Sequence, residues 1–403
     1  MRLLNRLRSS IQTIIASHSA RIAALVAVAY YIGAQFGFAL RFPGSPLSVI
    51  WPPNAIVLAA LLLTPTRMWW PILVAILPAH ILVEYQNGVE PWAILGLYVT
   101  NCGQAVLGAV GIRFVFRQPP RLDSLWRAVV FGICAVFGAP FIVSFLDTAI
   151  AVLTRWDTSQ PFQIHWWGRF VSNALTALVL TPVIFFVAAH WRTWRWPPQV
   201  SPQRGLEAIG LAIAIVASGV LVFATNLVAT TGQTAFLYLP LPLLLWAALR
   251  FGIGGTSIAS LGIVLLSTGW SGGVVRVQLA PPTAALVIAL QLFLIALSAP
   301  MLLLAALIEE HYRTAADLRE SEERYRDLVE TQTELICRYL PDGTLTFVNE
   351  AYCDYYGVTR ENLLGTKFFD LLPIAAGRRS QALLDRFARN PSVINDEHTV
   401  ALP

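Results

Sequence analysis

The sequence predicts a polytopic α-helical membrane bundle of about eight to ten spans, followed by a small C-terminal α+β domain. Of the 403 residues, 56% are hydrophobic and only 13% are charged, whereas soluble domains average about 25% charged residues. Ten apolar segments approach the length of roughly 20 residues that a bilayer span needs. After residue 308 the composition changes abruptly to charged residues. These observations exclude an ordinary soluble globule, a disordered chain and a small disulfide-bonded scaffold.

Charge is distributed unevenly between the two parts. Residues 1–308 contain 17 Arg, no Lys and 6 acidic residues, for a net charge of +11, whereas residues 309–403 contain 10 Arg, 1 Lys and 17 acidic residues, for a net charge of −6. The Arg residues of the first part are scattered among apolar runs, with no basic stripe that alternates with aromatic residues. The pattern therefore predicts the lipid bilayer as a partner and no nucleic acid.

The candidate spans begin close to the N-terminus. The basic start, with Arg2, Arg6 and Arg8, leads into an apolar run that we interpret as an uncleaved anchor. Because several segments are short or contain Pro, eight spans are the alternative to ten. The ten segments are 22–40, 47–63, 69–84, 92–112, 128–153, 170–190, 206–228, 234–249, 252–270 and 283–308.

The Arg residues also predict the orientation, because cytoplasmic loops retain positive charge. If the N-terminus is inside and the spans alternate, thirteen Arg residues fall in inside segments and four fall outside, namely Arg41, Arg155, Arg169 and Arg276. We therefore predict that the N-terminus and the C-terminal domain lie in the cytoplasm. Trp pairs at predicted borders, such as Trp69-Trp70 and Trp166-Trp167, are typical of the interfacial aromatic belt.

Polar residues inside the spans are the candidate functional residues. A charge at the bilayer centre costs roughly 2.5–3.5 kcal/mol on insertion scales, so such residues are rare and often functional. The candidates are Asp147, His80, Glu84, Asn54 and Asn173. Each could instead form hydrogen bonds that hold the helices together. His80 and Glu84 lie four residues apart on one helix face, but two ligands without a third do not make a metal site, so we assign no metal.

The four cysteines predict no disulfide framework. Cys102 and Cys134 lie in apolar runs, and Cys337 and Cys353 lie in the C-terminal part. The chain has no Cys-x-x-Cys motif, so zinc and redox sites are not indicated. We interpret these residues as small buried hydrophobic side chains.

A helix is predicted to join the two parts. Residues 309–330 contain no Gly or Pro and continue the last span. His311, Leu318 and Tyr325 are seven residues apart, which suggests a short coiled coil and a homodimer. A solvated spacer helix is the alternative. We divide the chain into a membrane domain at 1–308, a helical linker at 309–322 and a C-terminal domain at 323–403.

The C-terminal domain begins with a predicted β-hairpin. Strands at 335–340 and 345–349 flank Pro341-Asp342-Gly343, which supplies the turn. A helix follows at 350–357, where Gly357 stops it, and further short helices are predicted at 361–364 and 380–389. A small sheet covered on one face by helices can hold a small ligand or form a dimer.

Two stretches of this domain resemble the opening of a PAS sensor domain. They are Ser321–Leu328 and Phe347–Tyr352, with Pro341-Asp342-Gly343 between them and Glu361–Thr366 after them. The resemblance implies an α+β PAS fold. We expect it to be incomplete, because the chain ends where the later strands of the family would begin. No haem or flavin ligand is evident, so its cofactor is unknown.

The membrane part contains several blocks with a shared pattern, namely Trp51–Ile56, Trp166-Trp167 with Leu178–Pro182, Phe236–Pro242 with Trp246–Gly252, Leu290–Leu294 and Ala305–Glu309. Through these blocks the membrane part resembles the first-described bacterial membrane-associated sensor domain, the MASE type. It departs from the family pattern in one motif: where relatives often have Asp three residues before a Gly, this chain has Asn173 and Thr176.

These resemblances imply the input region of a bacterial signalling protein, which passes an unknown small-molecule or membrane signal to an output domain beyond Pro403. A histidine kinase is the first choice for the output, and a cyclic-di-GMP synthase or hydrolase is the second. A transporter with a regulatory tail and an inert anchor are further alternatives. His311 lies outside a phospho-acceptor motif, and no catalytic triad, P-loop or cyclic-di-GMP motif occurs, so we assign no catalytic residue.

Overall fold

The computed structural model describes residues 2–41, 48–116, 122–155, 161–191, 201–224, 234–273 and 284–371, together with residues 377 and 382. The chain divides into two compact units, Met1–His311 and Tyr312–Pro403. The first unit is helical, and the second contains a two-stranded sheet with short helices.

The first unit consists of helices that follow one another along the chain. Two π-helical segments, Gly132–Gly138 and Val220–Ala224, continue the helices that precede them. The α-helices are α1 Arg2–Ala39, α2 Pro52–Leu63, α3 Trp69–Gln86, α4 Pro91–Val115, α5 Leu125–Phe131, α6 Ala139–Leu153, α7 Phe162–His190, α8 Pro202–Gly219, α9 Leu241–Gly273 and α10 Ala284–Glu330.

Eight helical stretches within the described residues are long and apolar enough to cross a membrane. This count agrees with the lower limit of the predicted range. The stretches are Ser19–Ala39, Thr66–Gln86, Pro91–Val115, Leu125–Leu153, Phe162–His190, Pro202–Phe223, Ala235–Thr268 and Ala284–Glu330.

The ten predicted segments exceed this count in two places. The segment 47–63 contains only the 12-residue helix α2, because Pro52 and Pro53 start it and Thr64, with φ −115° and ψ 151°, ends it. The segments 234–249 and 252–270 fall in one stretch, which is broken at Gly252. This residue has φ 59° and ψ −156°, a conformation that glycine adopts readily.

Helix α2 lies inside the bundle although it is short. It contacts α1, α4 and α7, and ten of its twelve residues are buried. Helix α1 packs closely against α2 and the residue before it. A Cβ atom added at Gly33 would lie 2.7 Å from Ile56 Cδ1, and one added at Gly37 would lie 2.8 Å from Trp51. Small residues permit such packing in membranes. Enclosure by other helices also explains why a short helix with a non-helical approach is tolerated at this depth.

The second unit contains the predicted hairpin. Strand β1, Cys337–Tyr339, pairs antiparallel with β2, Leu345–Val348, with a bulge between Arg338 and Tyr339. Gly343 has φ 86° in the turn. Asp342 accepts hydrogen bonds from the Thr344 amide at 3.1 Å and from its hydroxyl at 2.9 Å. These bonds hold the pKa of the Asp342 carboxyl below its usual range.

Two short helices follow the hairpin, α11 Glu350–Tyr356 and α12 Arg360–Leu363. Gly357 ends α11 with φ 63°, as predicted from its position. The helix predicted at 380–389 lies outside the described residues. The core of this unit contains Leu345, Val348, Tyr352 and Leu363.

Asn349 joins the parts of the second unit. Its side chain is fully buried, and its Oδ1 accepts from the amides of Ile336 at 3.0 Å and Tyr352 at 3.1 Å. Its Nδ2 donates to the carbonyls of Glu334 at 2.8 Å and Val329 at 3.3 Å. One amide therefore connects the end of α10, the start of the hairpin and the first turn of α11.

We expect Asn349→Ala to destabilise the second unit by about 2–4 kcal/mol, because it leaves several buried backbone groups without partners. Hydrogen exchange of the purified chain should show faster exchange across the hairpin and α11. The matched control is Asn362→Ala, at an exposed position, which should leave the exchange unchanged. Equal exchange in the two variants would contradict the role given to Asn349.

Candidate functional site

Asp147 forms an ion pair inside the membrane unit. Its Oδ2 accepts a hydrogen bond from Arg169 Nη1 at 2.5 Å, and its Oδ1 accepts one from the Thr100 hydroxyl at 2.8 Å. The two bonds connect α6 to α7 and α4. Both charges are largely removed from solvent, where an unpaired charge would be costly. The pair therefore allows both side chains to remain inside the bundle.

The sequence analysis missed Arg169 because it began the span at residue 170. Helix α7 begins earlier, at Phe162, so Arg169 lies within the helix. A usable signal was present in the sequence, since Asp147 is an acidic residue in one apolar run and Arg169 is a basic residue at the edge of the next. Opposite charges in neighbouring spans favour a pair.

Asn54 and Asn173 belong to a network of amide and hydroxyl groups. Asn54 Nδ2 donates to Asn173 Oδ1 at 3.1 Å and to Gln104 Oε1 at 3.3 Å. Asn173 Nδ2 lies 3.3 Å from the Ser144 hydroxyl. The network joins α2, α4, α6 and α7. Among the described residues, Asn54 Oδ1 has no hydrogen-bond partner.

His80 and Glu84 have separate environments although they are neighbours on α3. His80 Nε2 lies 2.9 Å from the Ile94 carbonyl, to which it must donate, and its Nδ1 lies 2.8 Å from the Tyr30 hydroxyl. A neutral His80 is therefore the Nε2–H tautomer that accepts from Tyr30. Glu84 Oε1 lies 3.9 Å from His80 Nδ1, which is too far for a hydrogen bond.

Three of the five candidate residues line one cleft, whose volume is about 70 Å³. They are Glu84, Asp147 and Asn173. Asn54 reaches the cleft only through Asn173, and His80 is not among the lining residues. The space is sufficient for several ordered water molecules or one small ligand. The other lining residues include Phe38, Arg41, Trp51, Asn101, Arg169 and Ser172.

No group of three His, Cys, Asp or Glu side chains within the described ranges is arranged to hold a metal ion. His80 has both ring nitrogens in other contacts. The cleft instead combines two carboxylates, two guanidinium groups and several neutral donors and acceptors.

Asp147 lies in the helical stretch Leu125–Leu153. The start of this stretch contacts α10 near His311, where the first unit ends. The Leu125 amide, at the start of α5, donates to Glu310 Oε2 at 2.9 Å. Asp147 follows Leu125 by 22 residues, which corresponds to about 33 Å of helix and so to about one hydrocarbon thickness. The π-helix Gly132–Gly138 lies between them, and such segments often mark functional sites.

We expect Asp147→Asn to lower the stability of the membrane unit by about 3 kcal/mol, because it leaves the Arg169 charge without its anion. A reduced melting temperature of the detergent-purified chain would be the measurement. The double variant Asp147→Asn with Arg169→Gln removes both charges and should regain much of the loss. A double variant no more stable than the single one would contradict the pairing.

Comparisons with known proteins agree with the two units. The MASE1 family model matches residues 22–311, and a family model described as PAS fold matches residues 329–403. Two-component sensor PprA of Pseudomonas aeruginosa is 38% identical to this chain over 84 residues, which are 21% of this chain and 9% of that protein. No solved structure matches this chain.

These matches confirm the two resemblances that the sequence motifs indicated. The MASE1 match covers well over half of the chain, and its range contains the start of each of the eight candidate spans except the first, which begins at Ser19. A membrane sensor followed by a PAS fold is the sensory input region of a signalling protein. The chain is thus a multi-pass membrane protein that belongs to the MASE1 family.

Proposed function

We propose that this chain is the sensory input region of a histidine kinase of a two-component system. The MASE1 and PAS matches support an input role. The similarity to Two-component sensor PprA supports a kinase as the output, ahead of a cyclic-di-GMP enzyme. The candidate sensing residues are Glu84, Asp147 and Asn173 at the cleft, together with Asn54, which donates to Asn173, and His80, which lies one turn from Glu84 on α3.

The observation that carries this proposal is the helix α10, which is continuous over 47 residues, from Ala284 to Glu330. Leu294 and Leu297, near its start, are buried in the core of the membrane unit. Glu330, its last residue, accepts from the Glu350 amide at 3.0 Å and from Arg360 Nη2 at 2.7 Å. A stiff helix with polar anchors at its end can pass on a shift or rotation.

Within the membrane unit, a path of contacts leads from the cleft to this helix. Asp147 lies on α6, which continues α5 through the π-helix, and the start of α5 binds Glu310 of α10. A ligand that binds one arrangement of α6 more tightly would favour the corresponding position of α10. Such a ligand shifts the equilibrium only by the difference between its affinities for the two states.

We further propose that this protein lies in a bacterial inner membrane with the exit of α10 in the cytoplasm. Arg127 lies in the same short helix as Leu125, and Arg204 and Arg250 are joined by a hydrogen bond. A Cβ atom added at Gly252 would lie 2.8 Å from Glu309. These Arg residues therefore lie near the exit, and positive charge favours the cytoplasmic side.

The proposed domains are the membrane sensor at 1–308, the linker helix at 309–322 and the PAS domain at 323–403. Leu318 and Tyr325 on α10 are 60% and 69% exposed and are separated by one heptad. An apolar seam of this kind is typical of helices that pair. We propose that two copies of the chain pair along this seam.

The proposed orientation keeps the ten crossings predicted from the sequence, so that the segment around α2 and the segments on either side of Gly252 each cross the bilayer. We therefore expect cysteine labelling in intact cells to place the connection between α3 and α4 on the opposite side of the membrane from the second unit. In a variant without native cysteines, Glu90→Cys lies at an exposed position between α3 and α4, and Glu334→Cys lies at an exposed position in the second unit. A membrane-impermeant maleimide should label the first in intact cells and the second only after lysis. Labelling of Glu334→Cys in intact cells would overturn the proposed orientation.

A chimera tests the proposed relay. The chain is joined after its PAS fold to the catalytic part of a histidine kinase, and autophosphorylation is measured in membranes. One residue inserted after Ala316 rotates the following helix by about 100°, and we expect it to change kinase activity severalfold. Insertion of seven residues, which keeps the seam in register, should change it much less. Identical activity in all three proteins would count against a rigid helical relay.

A further inference from the structure

The cleft of the membrane unit has a balanced set of charges. Glu84 comes from α3, Asp147 from α6, Arg169 from α7 and Arg41 from the segment after α1. Among the described residues, the lining therefore carries two negative and two positive groups. A ligand with a net charge would leave one charge uncompensated in a poorly solvated space, which is unfavourable. A neutral ligand that carries both charges meets no such cost.

Of the two acidic residues at the cleft, Glu84 is the one whose carboxylate can accept hydrogen bonds from a ligand. Asp147 already accepts hydrogen bonds from Arg169 and Thr100. The Glu84 side chain is only about 3% exposed, and its single ion-pair contact within the described part of the chain is His80 at 3.9 Å. His80 Nδ1 is occupied by Tyr30. The Glu84 carboxylate can therefore accept hydrogen bonds from an ammonium group in the cleft.

The guanidinium groups of Arg41 and Arg169 provide the complementary charge. Arg41 stacks over Phe38, with Cζ 4.1 Å from the ring centroid, and Arg169 is held by Asp147. A guanidinium group has five N–H donors and can bind a second carboxylate while it keeps the first. Phe38 and Trp51 also line the cleft and offer an apolar surface to a short aliphatic group.

We propose that the cleft binds a small zwitterion of the amino-acid class. Its ammonium group donates to Glu84, and its carboxylate accepts from Arg41 and Arg169. The volume of about 70 Å³ restricts the ligand to a short side chain, which lies against Phe38 and Trp51. The role of this ligand as the signal rests on the proposed function. Its binding to the cleft is independent of that function.

The test is calorimetric titration of the full chain in lipid nanodiscs with glycine, L-alanine, L-serine and L-threonine. Acetate and methylammonium, which carry the two charges separately, serve as comparison ligands. At least one zwitterion should bind, and at least about tenfold more tightly than either single ion. Failure of all four amino acids to bind would overturn the proposal, as would equal binding of acetate or methylammonium.

A variant identifies the site. Glu84→Gln keeps the shape of the side chain and removes its charge, and we expect it to weaken zwitterion binding at least about tenfold. The matched control is Glu207→Gln, a glutamate of α8 that pairs with Arg250 outside the cleft, and it should bind as the native chain does. Unchanged binding by a folded Glu84→Gln variant would overturn the assignment. The comparison of ligands on the native chain stands even if this variant does not fold.

Titration of the kinase chimera with the same ligand separates the two proposals. Binding with unchanged autophosphorylation would leave the zwitterion site intact and overturn its role as the signal input. Autophosphorylation that responds to an insertion in α10 while no zwitterion binds would overturn the site alone.

Discussion

The pairing of Asp147 with Arg169 is the interaction on which the membrane unit depends. Neither charge could remain in a low-dielectric interior without the other, and their contact holds α6 against α7. The Thr100 hydroxyl of α4 donates a hydrogen bond to the other oxygen of the Asp147 carboxylate. With these three helices held, the amide network of Asn54 and Asn173 follows, and the charged cleft is formed beside it. Stability and the candidate site therefore share the same atoms.

The need to satisfy polar groups inside the bundle also explains the unusual position of α2. A 12-residue helix cannot cross a bilayer by itself, and its approach through Trp51 is not helical. In this structure the Trp51 amide donates to Thr176 at 2.8 Å, and α1, α4 and α7 surround the helix. Backbone that would be unstable in lipid is satisfied by protein. This enclosure places Trp51 at the cleft.

Side chains also satisfy backbone groups at helix ends and turns along α10. Within the membrane unit, Glu310 accepts a hydrogen bond from the first amide of α5. Within the second unit, Glu330 accepts from the Glu350 amide, and Asn349 donates to the Val329 carbonyl of α10 and to the Glu334 carbonyl. Each contact joins a side chain to a helix terminus or a turn, where backbone groups lack regular partners.

The sequence by itself determined the helical membrane bundle, the hairpin around Gly343 and the end of α11 at Gly357, because composition and turn residues act locally. It also identified Asp147 and Glu84 as unusual, since charged residues in apolar runs are evident without a structure. It did not reveal that Arg169 pairs with Asp147, or that Glu84 and His80 face different partners. Those facts depend on which helices pack together, because the partners of Asp147 and His80 lie 14 to 50 residues away in the chain.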